Sequence, residues 1–464
     1  MGIFKKIKKE VGMKKFFVIA LALLLAVPAI SYAGSATSRW DVTIGGYVKV
    51  ELGYSDELRA NQYWLPHRDS KAQKVAGDEY GNWFMDGVQT RFNFTIKGPD
   101  AWGMKTMAFI EGDFYGSGGP RYASRITQDN ITKNVTYSTY NHQGAFRLRH
   151  AFIKLIDKNF EVTLAGNTTQ VFGTLTGMGQ ALLTLVPWLD TGLSIGAGRV
   201  PQFNVEYFAM NRDLAMLFGV FLNNNQVGAN EVTGDVNTWT MGGLSAHGRI
   251  QYSTAKLGKI GNDKLTFVVD GFYGNEKKAW KSGNTTALST GTNTSTSWDD
   301  KTVKSWGAHG SFFIPILPEK GGNKAGSIGF SAYGYIAQNP GSIGPYVLGT
   351  AANSYYRNDG SQTAPTLYGW GPQLYVYLTN NVMLDLIYSD VKANLSGRYC
   401  NSKATATTVK RVSQYAAILA YDPNPALKFT LSWDHNYAEY AQMAAGQGKK
   451  GTSNVYRFAA FYFF

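Results

Sequence analysis

The stretch Asn454-Val455-Tyr456-Arg457-Phe458-Ala459-Ala460-Phe461-Tyr462-Phe463-Phe464 decides the fold. Taken every second residue, it gives Tyr456, Phe458, Ala460, Tyr462 and Phe464, an unbroken apolar and aromatic set. Side chains alternate faces along a strand, so this set makes one greasy face. In water such a strand at a sheet edge recruits other chains. In lipid the same strand is stable if it pairs with another and closes a barrel, because no edge then remains. The competing reading is the buried last strand of a soluble sandwich.

Working outward, the same period recurs at the other end of the chain. Over 40–54 the even positions are Trp40, Val42, Ile44, Gly46, Val48, Val50, Leu52 and Tyr54, and the odd ones include Asp41, Thr43, Tyr47, Lys49 and Glu51. No aliphatic residue enters the odd set, which excludes a helical period. Aromatic residues at both ends of the even face, with aliphatic ones between, suit a lipid-facing strand with two interfacial girdles. Strand two is read at 88–97, with Val88, Phe92, Phe94 and Ile96 outward and Gln89, Arg91, Asn93 and Lys97 inward. Strand three is read at 104–114, with Lys105, Glu111 and Asp113 on the wet side. Further strands are expected at 146–155, 160–167, 202–210, 214–223, 242–253, 264–274, 303–314, 327–337, 367–378, 382–391, 410–421, 426–437 and 454–464. In the fourth, Arg147 and Arg149 share a phase with Ala151, Ile153 and Leu155, which calls for a bulge or a phase shift. The total is sixteen. Loops after odd strands are long and polar. Those after strands 2, 4, 6, 12 and 14 are tight, as in Asn211-Arg212-Asp213 and Asp422-Pro423-Asn424-Pro425, and those after 8 and 10 are somewhat longer. The fold expected is all-β: a sixteen-stranded antiparallel transmembrane β-barrel with long outer loops and short periplasmic turns.

Composition agrees. Mean hydropathy is −0.21 although 44% of the 464 residues are apolar. A barrel hides its apolar residues at every other position, so its average resembles that of a soluble protein. Residues 1–33 read as a cleaved secretory signal peptide: a basic segment to Lys15, an apolar run from Phe16 to Val27, and Ser31 and Ala33 at the cleavage positions. Translation starts at Met1 or Met13, the second giving a leader of ordinary length. The apolar run is short for a retained anchor. Residues 34–464 then form the barrel. The formal charge of +13 falls to +8 without the six Lys and one Glu of the leader. With no basic run elsewhere, no nucleic-acid partner is expected. Cys400 is the single cysteine, which excludes an internal disulfide framework and any thiolate-rich metal site.

Enzyme motifs are mostly absent: there is no phosphate-cradling loop and no His-Glu-x-x-His. His67, His142, His150, His247, His309 and His435 show no metal-ligand spacing, and His247 and His309 fall on lumen positions. No catalytic step, cofactor or metal is expected. Lumen-side Tyr333, Tyr335, Tyr375 and Tyr377 are candidates for a sugar-like ladder.

Three segments carry a family resemblance. Thr90-Arg91-Phe92-Asn93-Phe94, then Gly98-Pro99-Asp100 and Gly103-Met104-Lys105-Thr106-Met107-Ala108-Phe109-Ile110-Glu111, resemble the second hairpin of Gram-negative general porins. Arg149-His150-Ala151-Phe152-Ile153-Lys154-Leu155 is similar to the porin Arg-x-Ala-Phe-Val-Gly-Leu strand, and Phe160-Glu161-Val162-Thr163-Leu164-Ala165-Gly166-Asn167 to the strand after it. The terminal Phe464 with Tyr462 resembles the ending that the outer-membrane assembly machinery is thought to recognise. The resemblance covers roughly residues 88–170 and the C-terminus. It implies a bacterial outer-membrane location among outer-membrane lipids, a homotrimer, and a third outer loop, here about 168–200, that bends into the lumen as a constriction. That loop carries the apolar stretch Ala181–Leu189 and a single acid, Asp190, and lacks the Pro-Glu-Phe-Gly-Gly motif of many porins. The apolar stretch is expected to pack on the inner wall or to reach a neighbouring subunit.

The expected function is passive diffusion of small hydrophilic solutes and ions through a water-filled channel. Pore-lining and constriction candidates are Lys49, Glu51, Arg91, Lys105, Glu111, Asp113, Arg147, Arg149, Asp190, Arg249, Lys428 and Arg457. Arg91, Arg147, Arg149 and Arg249 against one loop acid suggest a mild anion preference. The alternatives are a channel specific for a sugar or an anion, and a non-transport barrel serving as an adhesin or scaffold.

Overall fold

The computed structural model describes residues 40–56, 81–114, 145–177, 198–222, 238–241, 243–281, 298–339, 355–356, 362–363, 366–394, 409–440 and 450–464. The leader, His67, His142, the apolar stretch 181–189, Asp190 and Cys400 lie outside the described residues.

Sixteen long strands form one closed antiparallel barrel. They are β1 (Asp41–Ser55), β2 (Arg91–Ala101), β3 (Met104–Asp113), β4 (Arg147–Ile156), β5 (Phe160–Thr169), β6 (Arg199–Ala209), β7 (Leu214–Leu222) and β8 (Leu244–Ile260), followed by β9 (Asp263–Lys281), β10 (Trp298–Leu317), β11 (Ile328–Gln338), β12 (Thr366–Tyr377), β13 (Val382–Asn394), β14 (Val409–Asn424), β15 (Leu427–Tyr440) and β16 (Lys450–Phe463). Each pairs with its sequence neighbours, and β16 pairs with β1 from Tyr47↔Phe463 to Ser55↔Val455. Gly46 N donates to Phe464 O at 3.1 Å and Phe464 N returns to Gly46 O at 3.2 Å, so the last residue is zipped into the wall.

The face assignment follows the period of two. In β1, Val42, Ile44, Val48, Val50 and Leu52 are exposed, while Tyr47, Lys49 and Glu51 are buried. In β16, Tyr456, Phe458 and Tyr462 point outward, and Val455, Arg457, Ala459 and Phe461 point inward. The exposed side chains are the large apolar ones, the distribution required of a surface bathed in hydrocarbon rather than water.

Three local irregularities matter for the lumen. β1 divides its outer-side partner: Asp41–Tyr47 pair with β2, and Glu51–Ser55 pair with the short strand Asn82–Asp86. Between the two partners, Gly87–Thr90 make a tight turn closed by Thr90 N to Gly87 O at 3.0 Å. Val88, expected outward at the start of strand two, is therefore buried at 4% exposure, because the strand proper begins at Arg91. Gly46 sits where β1 leaves one partner for the other. Its φ is 150°, and a Cβ there would lie 2.2 Å from the Arg91 carbonyl oxygen. Finally, the register between β3 and β4 shifts after Glu111↔His150, to Gly112↔Leu148. This bulge resolves the phase conflict in strand four: Arg147 and Arg149 turn inward while Leu148 and Ile153 both face out.

The expected longer turn after strand 8 is instead a two-residue connection, Gly261-Asn262, because β8 and β9 run further than their alternation suggested. The connection after β10 is longer, as expected, and contains the bridge Lys320↔Asn323. Short strands Thr238–Met241, paired with β9, and Tyr355–Tyr356, paired with Gln362–Thr363, decorate the connections on the opposite rim.

The face assignment predicts a sharp asymmetry. Val50→Lys, on the outer face, destabilises the lipid-inserted barrel by about 2–4 kcal/mol if it sits near the bilayer midplane. Urea unfolding in phospholipid vesicles measures this; an effect near zero contradicts the assignment.

Candidate functional site: the charged inner wall and the root of the third loop

Two charged groups line the inner wall. The first spans β2, β3, β4 and β6. Arg147 grips Asp113 with both ends of its guanidinium, Nε to Oδ1 at 2.9 Å and the second nitrogen to Oδ2 at 2.6 Å. Arg149 bridges Glu111 at 2.7 Å and Asp113 at 2.9 Å, and Arg91 lies 3.5 Å from Glu111. Arg199 is within electrostatic reach of Arg91, Arg147, Arg149 and Asp113. Among the described residues, three guanidinium groups thus share two carboxylates, with Arg199 nearby. Bidentate pairing fixes the guanidinium planes, and the remaining positive charge belongs to the lumen.

The second group lies at the seam of β1, β15 and β16. Lys49 pairs with Glu51 and donates to Gln89 Oε1 at 2.7 Å, and its ammonium lies 5.5 Å from the Phe461 ring centre. Arg457 pairs with Asp434 and lies 3.5 Å from Glu51. Each buried cation thus has a carboxylate partner, as burial demands, and Asp86 lies within electrostatic reach of Lys49, Glu51 and Arg457. Gln89 reaches this group because the Gly87–Thr90 turn tips it inward.

The other sequence candidates lie elsewhere. Arg249 pairs with Glu206 across β8 and β6 at 2.6 Å, and Lys428 with Asp422 near the β14–β15 turn at 2.5 Å. Lys105 shares the inward phase of β3 but is exposed at its turn end, with no ion pair among the described residues. Phe464 and Tyr462 sit on the outer face at the seam. The sequence reading missed Arg199, which lies just before the strand expected from 202. His150 accompanies the arginine group, 3.8 Å from Glu111 and 2.9 Å from Thr168 Oγ1. No group of three metal-ligating side chains occurs among the described residues.

Further round the wall, β9 and β10 hold the root of the third loop. After β5 the chain turns into the lumen, and Asp270 receives it: Gly173 N donates to Oδ1 at 2.9 Å, Thr174 N to Oδ2 at 3.0 Å, and His309 Nδ1 lies 3.0 Å from Oδ2. Ser311 Oγ donates to the Thr174 carbonyl at 2.6 Å. Phe172 is fully buried, its ring 4.8 Å from that of Phe272 and 6.2 Å from that of His309. One carboxylate satisfying two consecutive backbone N–H groups makes a compact clip. The same packing covers the tyrosine ladder. Tyr335 lies against Phe172 at 6.5 Å, Tyr333 against His309 at 6.4 Å, and Tyr375 stacks on Phe313 at 5.7 Å. All four tyrosines point inward but are at most 9% exposed, so they form packed wall rather than a free stacking track.

Replacing Asp270 by Asn turns one acceptor oxygen into a donor and removes the charge, and is expected to weaken the clip by about 1–3 kcal/mol. Amide hydrogen exchange at Gly173 and Thr174 then accelerates while the β16–β1 amides stay protected. Unchanged exchange at those two amides contradicts the assigned role of Asp270.

No family model matches the sequence, and no curated protein matches it. Solved structures do match over nearly the whole chain. The outer membrane channel DcaP of Acinetobacter baumannii is 16% identical with a TM-score of 0.61, covering 93% of this chain and 99% of that one. An anion-selective porin from Comamonas acidovorans is 12% identical with a TM-score of 0.51, covering 92% and 100%. OprB of Pseudomonas putida is 9% identical with a TM-score of 0.50, covering 92% and 94%. Closure, strand number and these neighbours together give the chain the fold of the Gram-negative outer-membrane porins.

Proposed function

We propose that this chain, once exported and freed of residues 1–33, forms a water-filled outer-membrane channel for passive diffusion of small hydrophilic solutes and ions, with a mild preference for anions. The observation that carries the reading is the β2–β6 wall, where Arg91, Arg147, Arg149 and Arg199 outnumber Glu111 and Asp113 on the inner face of a closed barrel. Sixteen strands leave an aqueous bore rather than a filled core. A wall rich in guanidinium raises the local concentration of anions and lowers that of cations. The structural neighbours described as an outer membrane channel and as an anion-selective porin support the same direction.

The clip at Asp270 supports a constricting role for the third loop, since it fixes the loop's first residues on β9, four strands round the barrel from their strand of origin. Passage is physical, with no chemical step and no cofactor. Assembly as a homotrimer, and recognition of Phe464 and Tyr462 by the barrel-assembly machinery, complete the proposal. A sugar-specific ladder on Tyr333, Tyr335, Tyr375 and Tyr377 is disfavoured by their burial.

The reversal potential in a planar bilayer under a potassium chloride gradient tests the reading. The unmodified protein is expected to give an anion-selective sign. Arg149→Gln, which removes the bridge between Glu111 and Asp113, shifts it toward cations. A cation-selective unmodified protein contradicts the proposal.

A further inference from the structure

On the lipid face of β13–β16 and β1, toward the end of the barrel that carries the long loops, lies an apolar groove of about 570 Å³. We propose that this groove and the cations beyond it form a site for a bisphosphorylated glycolipid of the outer leaflet, with one acyl chain in the groove and the two phosphates on Lys392 and Lys450. The site belongs to the outer surface of the wall and does not depend on what passes through the lumen.

Strand register builds the groove. Leu384, Leu419, Leu431, Phe458 and Leu52 stand opposite one another on neighbouring strands and make one row of it. The next row toward the long loops is Ala417, Trp433, Tyr456 and Tyr54, closed by Trp83, whose ring lies 5.2 Å from that of Tyr54. The outer face of a barrel is convex, and the depression arises where the methyl group of Ala417 stands beside large aromatic rings. The lining is open to lipid: Leu431 is 56% exposed and Trp83 66%. In hydrocarbon an apolar groove exerts no hydrophobic pull on an acyl chain, since lipid tails are as apolar as leucine. Fit alone therefore holds the chain loosely, and the head group must supply the selectivity.

Just beyond the aromatic row the surface turns polar. Asn454 accepts from Trp433 Nε1 at 3.2 Å and donates to Asp56 Oδ2 at 2.7 Å. Further along the same face, register aligns Lys392, Arg411, Glu439 and Lys450. Arg411 is held by Asp390 at 2.6 Å, and Glu439 by Lys410 at 3.2 Å. Lys392 and Lys450 are exposed and have no ion pair among the described residues, which leaves two ammonium groups for a ligand. Three strand spacings, about 14 Å, separate them. One phosphate cannot bridge that gap, whereas a disaccharide phosphorylated at both ends covers it. Depth agrees as well. From Ala417 to Arg411 the chain runs about 20 Å along β14, or about 15 Å along the membrane normal at a tilt of about 40°. One leaflet of hydrocarbon is also about 15 Å deep, so an acyl chain anchored at the lysines reaches the groove.

Native mass spectrometry of the detergent-solubilised protein, titrated with bisphosphoryl lipid A, tests the proposal. One saturable adduct per barrel is expected. Monophosphoryl lipid A binds about fivefold more weakly, and Lys392→Gln or Lys450→Gln causes the same loss for the bisphosphoryl form, the value of one lysine beside an anionic head group. Ala417→Trp fills the groove and removes the adduct, whereas Val269→Trp, on the lipid face of β9, keeps it. Heat-modifiable migration and β-rich circular dichroism establish that each variant is folded. Equal retention of lipid by the two tryptophan variants overturns the site, because lipid then only coats the wall, and so does equal binding of the two forms of lipid A. An Ala417→Trp barrel that loses its oligomeric state but keeps its lipid affinity assigns the groove to a second copy of this chain and also overturns it. The channel reading is tested separately, by salt current, and survives any of these results.

Discussion

The seam between β16 and β1 is the constraint on which the rest of the structure depends. In hydrocarbon an unpaired backbone N–H or C=O costs several kcal/mol, because no water is present to replace the missing partner. A sheet of this length is therefore admissible in a bilayer only if its first and last strands meet. The aromatic run that ends the chain meets β1 residue by residue, down to the reciprocal bonds of Phe464 and Gly46. Gly46 allows the same strand to hand its other edge from β2 to Asn82–Asp86, since a Cβ at that point would collide with the Arg91 backbone. Closure and the inward tilt of Gln89 thus follow from one stretch of β1.

Closure divides the chain into two solvents. Outside, the strands present Val, Leu, Ile and aromatic side chains. Inside, charge must be either matched or hydrated. At the β1–β15–β16 seam Lys49 and Arg457 are matched by Glu51 and Asp434, with Gln89 as a further acceptor. On the β2–β6 wall Arg91, Arg147 and Arg149 meet Glu111 and Asp113 among the described residues. On β9 and β10 the polar groups do mechanical work, with Asp270 and Ser311 tying down the root of the third loop.

Much of this was legible in the sequence for a simple reason. A period of two, sustained sixteen times, is hard to imitate, and each strand read from it has a counterpart in the barrel. Even the fourth strand announced its bulge, because Arg147 and Arg149 could not share a lipid face with Ile153. The failures were of another kind. Val88 fitted the alternation but lies in a turn, since period alone does not mark where a strand begins. Arg199 fell just outside the strand read from 202. Asp270 sat in a correctly placed strand, yet its partners are backbone N–H groups 97 and 96 residues away, which no local pattern encodes. The inward tyrosines had the right phase, but phase does not reveal that Phe172 and Phe313 cover them.

The account stands or falls on closure, and amide hydrogen exchange across the β16–β1 seam in reconstituted lipid vesicles tests it most directly. Protection from Tyr47 to Ser55 and from Val455 to Phe463, equal to that of the central β13–β14 pair, is the expected result. Exchange there at the rate of an open sheet edge, with β13–β14 still protected, would contradict it.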